Sequence, residues 1–163
     1  MTDLAQGRHL AVGEGDAFEF LNTLSIIKAA GTATNGALAV VEQRLPPGFA
    51  PPQHIHHNED EAFYLLSGRI VAQLGDQQIV AETGSFLWLP RGVQHGFTVD
   101  ADGPCTMLVI TTPAGFERFV AEVGSPTSTT DRLPEPREPD VPRLFEIADK
   151  YGIEFPPPPD LLS

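Results

Sequence analysis

Short apolar and β-branched runs dominate the chain from Phe18 to Thr112, and turn residues interrupt them at regular intervals. Within runs such as "RIVAQL" and "QIVAE", apolar and polar positions alternate. This period of two, with Gly, Pro, Asn or Asp between the runs, is typical of short antiparallel strands. So many strands must close into a barrel or a sandwich. The pattern therefore predicts an all-β core over about residues 18–112.

A two-residue turn joins two of these runs in "QLGDQQIV", where Gly75 and Asp76 separate alternating segments. Glycine readily adopts the positive φ that such a hairpin turn demands. The sequence therefore predicts a β-hairpin with strands over 69–74 and 77–82.

The hydrophobic period changes after Thr112. Apolar residues recur on one stripe at helical spacing in "TPAGFERFVAEVG", with Pro113 in the first turn and Gly124 after the last. This predicts a helix over 113–123 with Thr112 as its N-cap, packed on the barrel. The stripe consists of Phe116, Phe119, Val120 and Val123.

The segment "DVPRLFEIADKYG" repeats this pattern, and it predicts a second helix over 141–151 with Asp140 as its N-cap. Between the helices, the proline-rich residues 125–139 lack apolar periodicity and are expected to form a loop. Residues 153–163 are expected to form an extended, proline-rich tail along the surface. We interpret residues 1–163 as one domain, with two short C-terminal helices outside the β core.

The charge balance limits the possible partners. The chain has 22 acidic and 10 basic residues, a formal net charge of −12, which disfavours binding to nucleic acid and to anionic membranes. No apolar run is long enough to span a membrane, the first residues lack the pattern of a signal peptide, and the one cysteine, Cys105, cannot form an internal disulfide. We therefore expect a cytoplasmic protein.

Three of the five histidines lie within the four residues 54–57. If this segment is a strand, His54 and His56 share one face, about 6.6 Å apart along the backbone, and His57 faces the other way. Glu61 begins the next strand, and His95 follows the turn "PRG". Imidazoles and a carboxylate suit a divalent transition metal such as Fe, Mn, Ni, Co, Cu or Zn. The sequence predicts that one such ion per chain binds these residues.

These spacings resemble the two conserved motifs of the cupin family. The first motif would comprise Gly48, His54, His56, Glu61 and Gly68. The second would comprise Gly84, Pro90, Gly92 and His95. Val99 stands where the family has asparagine, a residue that is not a metal ligand in the family. The resemblance, which covers about residues 36–124, implies a cupin jelly-roll barrel with His54, His56, Glu61 and His95 as the metal ligands.

Within cupins, the chain resembles bacterial quercetin dioxygenases. The resemblance implies a metal-dependent dioxygenase that acts on a small aromatic or enolic substrate, with Glu61 as the catalytic residue that takes the substrate proton. Two alternatives stay open at this stage. One is a non-redox cupin, such as an isomerase, cyclase or decarboxylase, and the other is a module that binds a small molecule without catalysis.

Strand alternation also suggests residues for a substrate pocket. Phe63 shares the face of Glu61, and Val93 and Phe97 share the face of His95, so all three are candidates to line an apolar pocket above the metal. His57 is expected at the surface, and Glu59 and Asp60 are expected to be solvated charges in the bend before the next strand. A homodimer is expected because an open-ended barrel leaves edge strands that need covering.

Overall fold

The computed structural model describes residues 7–157, which form twelve strands and three short helices. The strands are β1 (Asp16–Phe20), β2 (Thr23–Ala29), β3 (Ala39–Leu45), β4 (Ile55–His56), β5 (Asp60–Ser67), β6 (Arg69–Leu74), β7 (Gln77–Glu82), β8 (Phe86–Leu89), β9 (His95–Val99), β10 (Cys105–Thr112), β11 (Ser125–Thr127) and β12 (Ile153–Glu154). The helices are α1 (Gly31–Thr34), α2 (Phe116–Val123) and α3 (Val141–Lys150).

The strands form antiparallel sheets. Seven strands make one sheet in the order β11-β1-β2-β3-β10-β5-β8, three make a second in the order β7-β6-β9, and β12 pairs with β4. One hydrophobic cluster joins buried residues of both larger sheets with residues of α2 and α3. The prediction of an all-β fold with two short C-terminal helices is confirmed.

The hairpin predicted from Gly75 and Asp76 is present, with β6 and β7 paired from Arg69↔Glu82 to Leu74↔Gln77. Gly75 has a φ of 54°, in the region that glycine favours. Gly68, between β5 and β6, has a φ of 88°, and a Cβ there would lie 2.5 Å from the carbonyl oxygen of Pro104. A glycine is therefore required for β5 to turn into β6.

The first predicted helix begins later than expected. Helix α2 starts at Phe116 with Gly115 as its N-cap, so the prediction of Thr112 as the cap was wrong. Thr112 instead ends β10, opposite Asp60 of β5, and its hydroxyl donates to the carbonyl oxygen of Ala37. Pairing in the sheet therefore outweighs the preference of threonine for the N-cap position of a helix.

The second helix agrees more closely with its prediction, since α3 covers Val141–Lys150 and Asp140 accepts a hydrogen bond from the backbone N–H of Arg143. The expected loop over 125–139 is wrong at its start, where β11 pairs with β1. Pro126 is tolerated there because β11 is an edge strand.

The C-terminal segment lies closer to the core than a surface tail. Ile153 and Glu154 pair with His56 and Ile55 of β4, and Ile153 is buried. The surface location predicted for residues 153–163 is therefore wrong at its beginning, and residues 158–163 lie outside the described part. Among residues 7–157, no helix is long and apolar enough to cross a membrane. The cytoplasmic location and the extent of the domain stay predictions.

Candidate metal centre

Backbone pairing brings the two histidine-bearing segments together. His54 and His95 form an isolated antiparallel bridge, in which each backbone N–H donates to the other carbonyl oxygen at 2.9 and 3.0 Å. The N–H of Gly92, in the turn before β9, donates to the carbonyl oxygen of His56 at 2.8 Å. Segments about forty residues apart in sequence therefore face one another across a few ångströms.

Four side chains converge at this point. His54, His56, Glu61 and His95 each offer one ligand atom, and these atoms all lie within 4.8 Å of one another. Glu61 Oε2 lies 2.8 Å from His95 Nε2 and 3.4 Å from His56 Nε2. His56, Glu61 and His95 are buried, whereas His54 is partly accessible. The structure thus brings together the four residues that the sequence suggested as ligands.

The second nitrogen of each imidazole ring contacts an oxygen atom. Nδ1 of His54 lies 2.8 Å from the carbonyl oxygen of Pro52, and Nδ1 of His95 lies 3.2 Å from that of Val93. A carbonyl oxygen can only accept, so Nδ1 carries the proton and donates in both cases. The lone pair of Nε2 is then available, as in metal-binding histidines whose other nitrogen is held by an acceptor.

His56 has a carboxylate as the corresponding partner, because its Nδ1 donates to Glu59 Oε1 at 2.7 Å. Glu59 is only 4% exposed, so the expectation that it is a solvated charge in the bend was wrong. A carboxylate behind a ligating histidine fixes the ring and increases the basicity of Nε2. The spacing of Glu59 three residues after His56, within a tight bend, is the sequence signal that could have identified this residue.

Electrostatics favour a negatively charged Glu61 among neutral or partly charged rings. Burial alone would raise the pKa of Glu61, but His56 and the hydrogen bond from His95 lower it to about 2. Burial and the neighbouring rings of His95 and His56 lower the pKa of His54 to about 4. Burial lowers the pKa of His56, and Glu61 and Glu59 outweigh this and raise it. His54 is therefore neutral near pH 7, with Nε2 able to bind a metal.

Two further features show that a metal ion fits these residues. Among the described residues, His56 Nε2 has no hydrogen-bond partner although it is fully buried, because Glu61 Oε2 at 3.4 Å is not placed for a hydrogen bond. Since His95 Nδ1 donates elsewhere, the 2.8 Å contact between its Nε2 and the Glu61 carboxylate requires either a shared proton or a metal ion between the two atoms. Neighbouring ligands about 2.1 Å from one ion are separated by about 3.0–3.4 Å, close to these distances.

His57 lies outside the cluster, as strand alternation predicted. Its side chain is half exposed and pairs with Glu154 of β12 at 2.7 Å. Asp60, beside the ligand Glu61, pairs with Arg91 at 3.0 Å on the outside of the sheet. Neither His57 nor Asp60 belongs to the group that could hold a metal ion.

An apolar cavity adjoins the four clustered residues. Its lining includes His54, His56 and Glu61 and seven of the ten phenylalanines of the chain. The phenylalanines are Phe20, Phe49, Phe63, Phe97, Phe116, Phe119 and Phe155. The volume is about 60 Å³, far below the ~300–1,000 Å³ that is common for pockets binding drug-sized ligands. The cavity as it stands holds a few water molecules or a very compact ligand.

Of the three candidate pocket residues, Phe63 and Phe97 line this cavity. Val93 is not among its lining residues in the described part of the chain, so that prediction was wrong. Strand β9 begins only at His95, and Val93 lies in the preceding turn, close to Gly75, where strand alternation does not apply. Its contribution is the carbonyl oxygen that accepts from His95.

Sequence reasoning missed the C-terminal part of the cavity wall. Ile153 and Phe155 line it, and the ring of Phe155 lies 5.9 Å from that of His54, centroid to centroid. Phe155 also stacks on Phe145 of α3 at 5.1 Å. No local pattern in "YGIEFPPPP" indicates this position, which depends on the pairing of β12 with β4.

The chain is similar to a known protein family and to a curated enzyme. The family described as "Cupin domain" matches residues 41–111, which include all four clustered residues. Quercetin 2,3-dioxygenase of Bacillus subtilis is 32% identical over 117 residues, or 72% of this chain. The match covers 34% of the relative, so this chain spans about a third of the length of the curated protein that it matches.

Solved structures agree on the fold. The structure of KdgF from Halomonas sp. matches with a TM-score of 0.61 and 16% identity, over 69% of this chain and 99% of the other. A predicted oxalate decarboxylase from Thermotoga maritima matches with a TM-score of 0.58 and 19% identity, over 65% of this chain and 99% of the other. At these identities, the likeness extends to the fold alone.

Proposed function

We propose that this chain, which belongs to the cupin superfamily, is a metal-dependent dioxygenase acting on a small aromatic or enolic molecule. The observation that carries the proposal is the convergence of three imidazoles and one carboxylate at the wall of a cavity lined by phenylalanines. The similarity to quercetin 2,3-dioxygenase supports the choice of reaction.

In this proposal, Nε2 of His54, His56 and His95 and a carboxylate oxygen of Glu61 hold one divalent transition metal ion, and its identity is left open among Fe, Mn, Ni, Co, Cu and Zn. When bound, such an ion supplies Lewis acidity to an enol or phenol oxygen and a place for O2 beside it. The Nδ1 contacts of the three rings keep the Nε2 lone pairs directed at a common point.

Glu61 is the proposed proton acceptor. His56 and His95 lower the pKa of Glu61, so its carboxylate is ionised and able to accept a proton. A bound dication would make a substrate hydroxyl more acidic, and proton transfer to Glu61 would become more efficient as the two pKa values approach one another. His95 Nε2, 2.8 Å from Glu61 Oε2, fixes the position of that oxygen.

The phenylalanine lining has two proposed roles. It excludes water from the reacting atoms, and its flat rings suit a planar substrate. Phe63 and Phe97, whose ring centroids are 5.5 Å apart, are the lining residues nearest in sequence to the ligands Glu61 and His95. They are proposed substrate contacts.

A flavonol exceeds the cavity volume of about 60 Å³, so the proposal requires the wall to open for such a substrate. The C-terminal segment is a weakly paired part of the wall, because β12 contributes only two residues. Displacement of Ile153 and Phe155 would widen the cavity next to His54.

The experiment is a screen for metal-dependent O2 uptake. Protein loaded separately with Fe, Mn, Co and Ni is mixed with flavonols and with smaller enolic aromatics, and O2 consumption is recorded with an electrode. Consumption that requires both metal and substrate supports the proposal. Substrate turnover under nitrogen would instead identify a non-redox cupin, and tight binding without turnover would identify a binding module.

We also propose that the protein is a homodimer formed through the outer face of β5 and β8. Tyr64, Leu66, Phe86 and Trp88 lie on that face, each more than 40% exposed. Strand β8 is an edge strand of its sheet. These four side chains carry no charge, whereas the chain as a whole has a net charge of −12. A second copy therefore approaches there with little repulsion.

Light scattering at micromolar concentration tests the dimer. The expected result is the mass of two chains for the wild type and of one chain for Trp88→Lys. A monomeric wild type would contradict the proposal.

A further inference from the structure

Gln43 is a polar residue in the aromatic wall of the cavity. It lies on β3, directly opposite Ser25 of β2, and both side chains are buried. Besides the clustered His54, His56 and Glu61, the polar residues lining the cavity in the described part are Thr23 and Gln43. Gln43 is therefore one of two residues with polar side chains that line the cavity in the described part, apart from the clustered residues.

The hydrogen bonds of these two polar residues differ. Thr23 is engaged, since its hydroxyl donates to the carbonyl oxygen of Phe20. Gln43 Nε2 donates to Ser25 Oγ at 3.3 Å, whereas none of residues 7–157 donates a hydrogen bond to Gln43 Oε1. Gln43 therefore offers an amide oxygen as an acceptor without a donor among the described residues, whereas the hydroxyl proton of Thr23 is already used.

The amide oxygen Oε1 of Gln43 is not fully enclosed by the protein. The fully enclosed side-chain polar atoms without a partner in the described residues are His56 Nε2 and Thr111 Oγ1. Gln43 Oε1 is not one of them although none of residues 7–157 donates to it, so this atom is not fully enclosed, and Gln43 lines the cavity. An amide oxygen in an apolar wall is costly unless a donor reaches it, and a ligand hydroxyl in the cavity would be such a donor.

We propose that Gln43 determines substrate specificity by accepting a hydrogen bond from a second hydroxyl group of the substrate. This inference rests on the proposed function, in which the first oxygen of the substrate is anchored at the metal site. The substrate class is then a compact, planar enolic or phenolic molecule that carries a further hydroxyl group. The small volume of about 60 Å³ keeps the two anchoring points within reach of such a molecule.

The discrimination expected from this contact follows from the cost of an unpaired buried acceptor. A substrate that lacks the second hydroxyl leaves Gln43 Oε1 dehydrated and without a donor, so it binds less well. Replacing the amide by an apolar side chain of similar size removes this penalty. Selectivity should therefore disappear in the variant while affinity for the apolar analogue is kept or increased.

The test uses two pyranone probes that differ by one hydroxyl group. Kojic acid carries an enolic chelating group and a hydroxymethyl group, and allomaltol has a methyl group in place of the hydroxymethyl. Dissociation constants for both are measured by calorimetry on Co²⁺-loaded protein. The wild type is compared with Gln43→Leu, with Gln43→Met as a second variant of closer shape, and with Gln78→Leu, the same change at an exposed position of β7.

We expect the wild type and Gln78→Leu to prefer kojic acid by about tenfold, and both Gln43 variants to bind the two probes within about threefold of each other. If both probes bind and the wild type shows no preference, or if the Gln43 variants retain it, the role of Gln43 is overturned and the metal-site proposal stands. If neither probe binds to the Co²⁺-loaded wild type, the proposed function itself fails, and the role of Gln43 fails with it.

Discussion

The two ends of β5 and β9 bury opposite kinds of side chain on the same face. At the start of these strands lie Glu61 and His95, and four residues further along lie Leu65 and Val99, all of them at most 3% exposed. The separation is about 13 Å along each strand. Apolar burial stabilises the end that contains Leu65 and Val99, the apolar end. The end that contains Glu61 and His95, the histidine end, buries charge at a cost in free energy.

This difference in the buried side chains indicates the role of each end. At the apolar end, shape and volume determine stability, and the residues are interchangeable within limits of size. At the histidine end, Nδ1 of each of the three rings has a defined partner, and the ligand atoms of the four clustered residues lie within 4.8 Å of one another. Such an arrangement is efficient for binding a cation and inefficient as a way to stabilise a fold.

The largest effect is expected from Leu65→Ala at the apolar end. The change leaves a cavity in the core and should lower the free energy of unfolding by about 2–5 kcal/mol, measured by urea denaturation. Metal bound per folded chain should stay the same. A loss of metal from chains that are still folded would show that the two ends are coupled more closely than this comparison assumes.

Glu61→Gln should have the next largest effect, this time on chemistry. The amide keeps the shape and one coordinating oxygen but removes the charge and the easy acceptance of a proton. With a substrate identified by O2 uptake, turnover per bound metal should fall at least about a hundredfold, the lower range for a positioned general base. Unchanged turnover per metal would reduce Glu61 to a ligand without a role in proton transfer.

Glu59→Gln should have a smaller effect, on metal affinity. Glu59 orients His56, and loss of such a carboxylate partner lowers metal affinity by about 10–100-fold. Glu154→Gln is the matched control, because Glu154 contacts the exposed His57 at the same distance. Titration with Co²⁺ followed by its absorption should separate the two variants. Equal affinities would remove Glu59 from the account of the site.

Phe155→Ala should have the smallest effect. The histidine end is covered by the C-terminal segment, and removal of this ring should increase the affinity for a flavonol several-fold relative to allomaltol. Phe145→Ala, which removes the stacking partner of Phe155 outside the cavity, should have a weaker effect in the same direction. If both probes change equally in Phe155→Ala, Phe155 does not limit the size of the substrate.

Local pattern was sufficient to predict most strands, and together with the spacing of the two motifs it predicted the meeting of the four clustered residues. Alternation separates His56 from His57, and the turn at Gly92 directs the chain back so that His95 pairs with His54. The first depends on residues close in sequence, whereas the second joins segments about forty residues apart, and the spacing of the two cupin motifs indicated it. The fold class followed from the same signals, because turn residues mark the strand ends.

The remaining features depend on partners far away in sequence. Phe155 reaches the cavity only because β12 pairs with β4, almost a hundred residues earlier. Thr112 was predicted to be a helix N-cap from its residue type, but its pairing with Asp60 in the sheet outweighs that preference. Val93 was placed on a strand that begins two residues later. In each case, tertiary pairing determined the outcome.

The central claim is that His54, His56, Glu61 and His95 bind one divalent transition metal ion. The most direct measurement is the metal-to-protein ratio by mass spectrometry, after loading with Co²⁺ and gel filtration, for the wild type, His95→Ala and His57→Ala. The account predicts one ion per chain in the wild type and in His57→Ala, and a large loss in His95→Ala. A wild type without metal, or a ratio that falls in His57→Ala and not in His95→Ala, would contradict it.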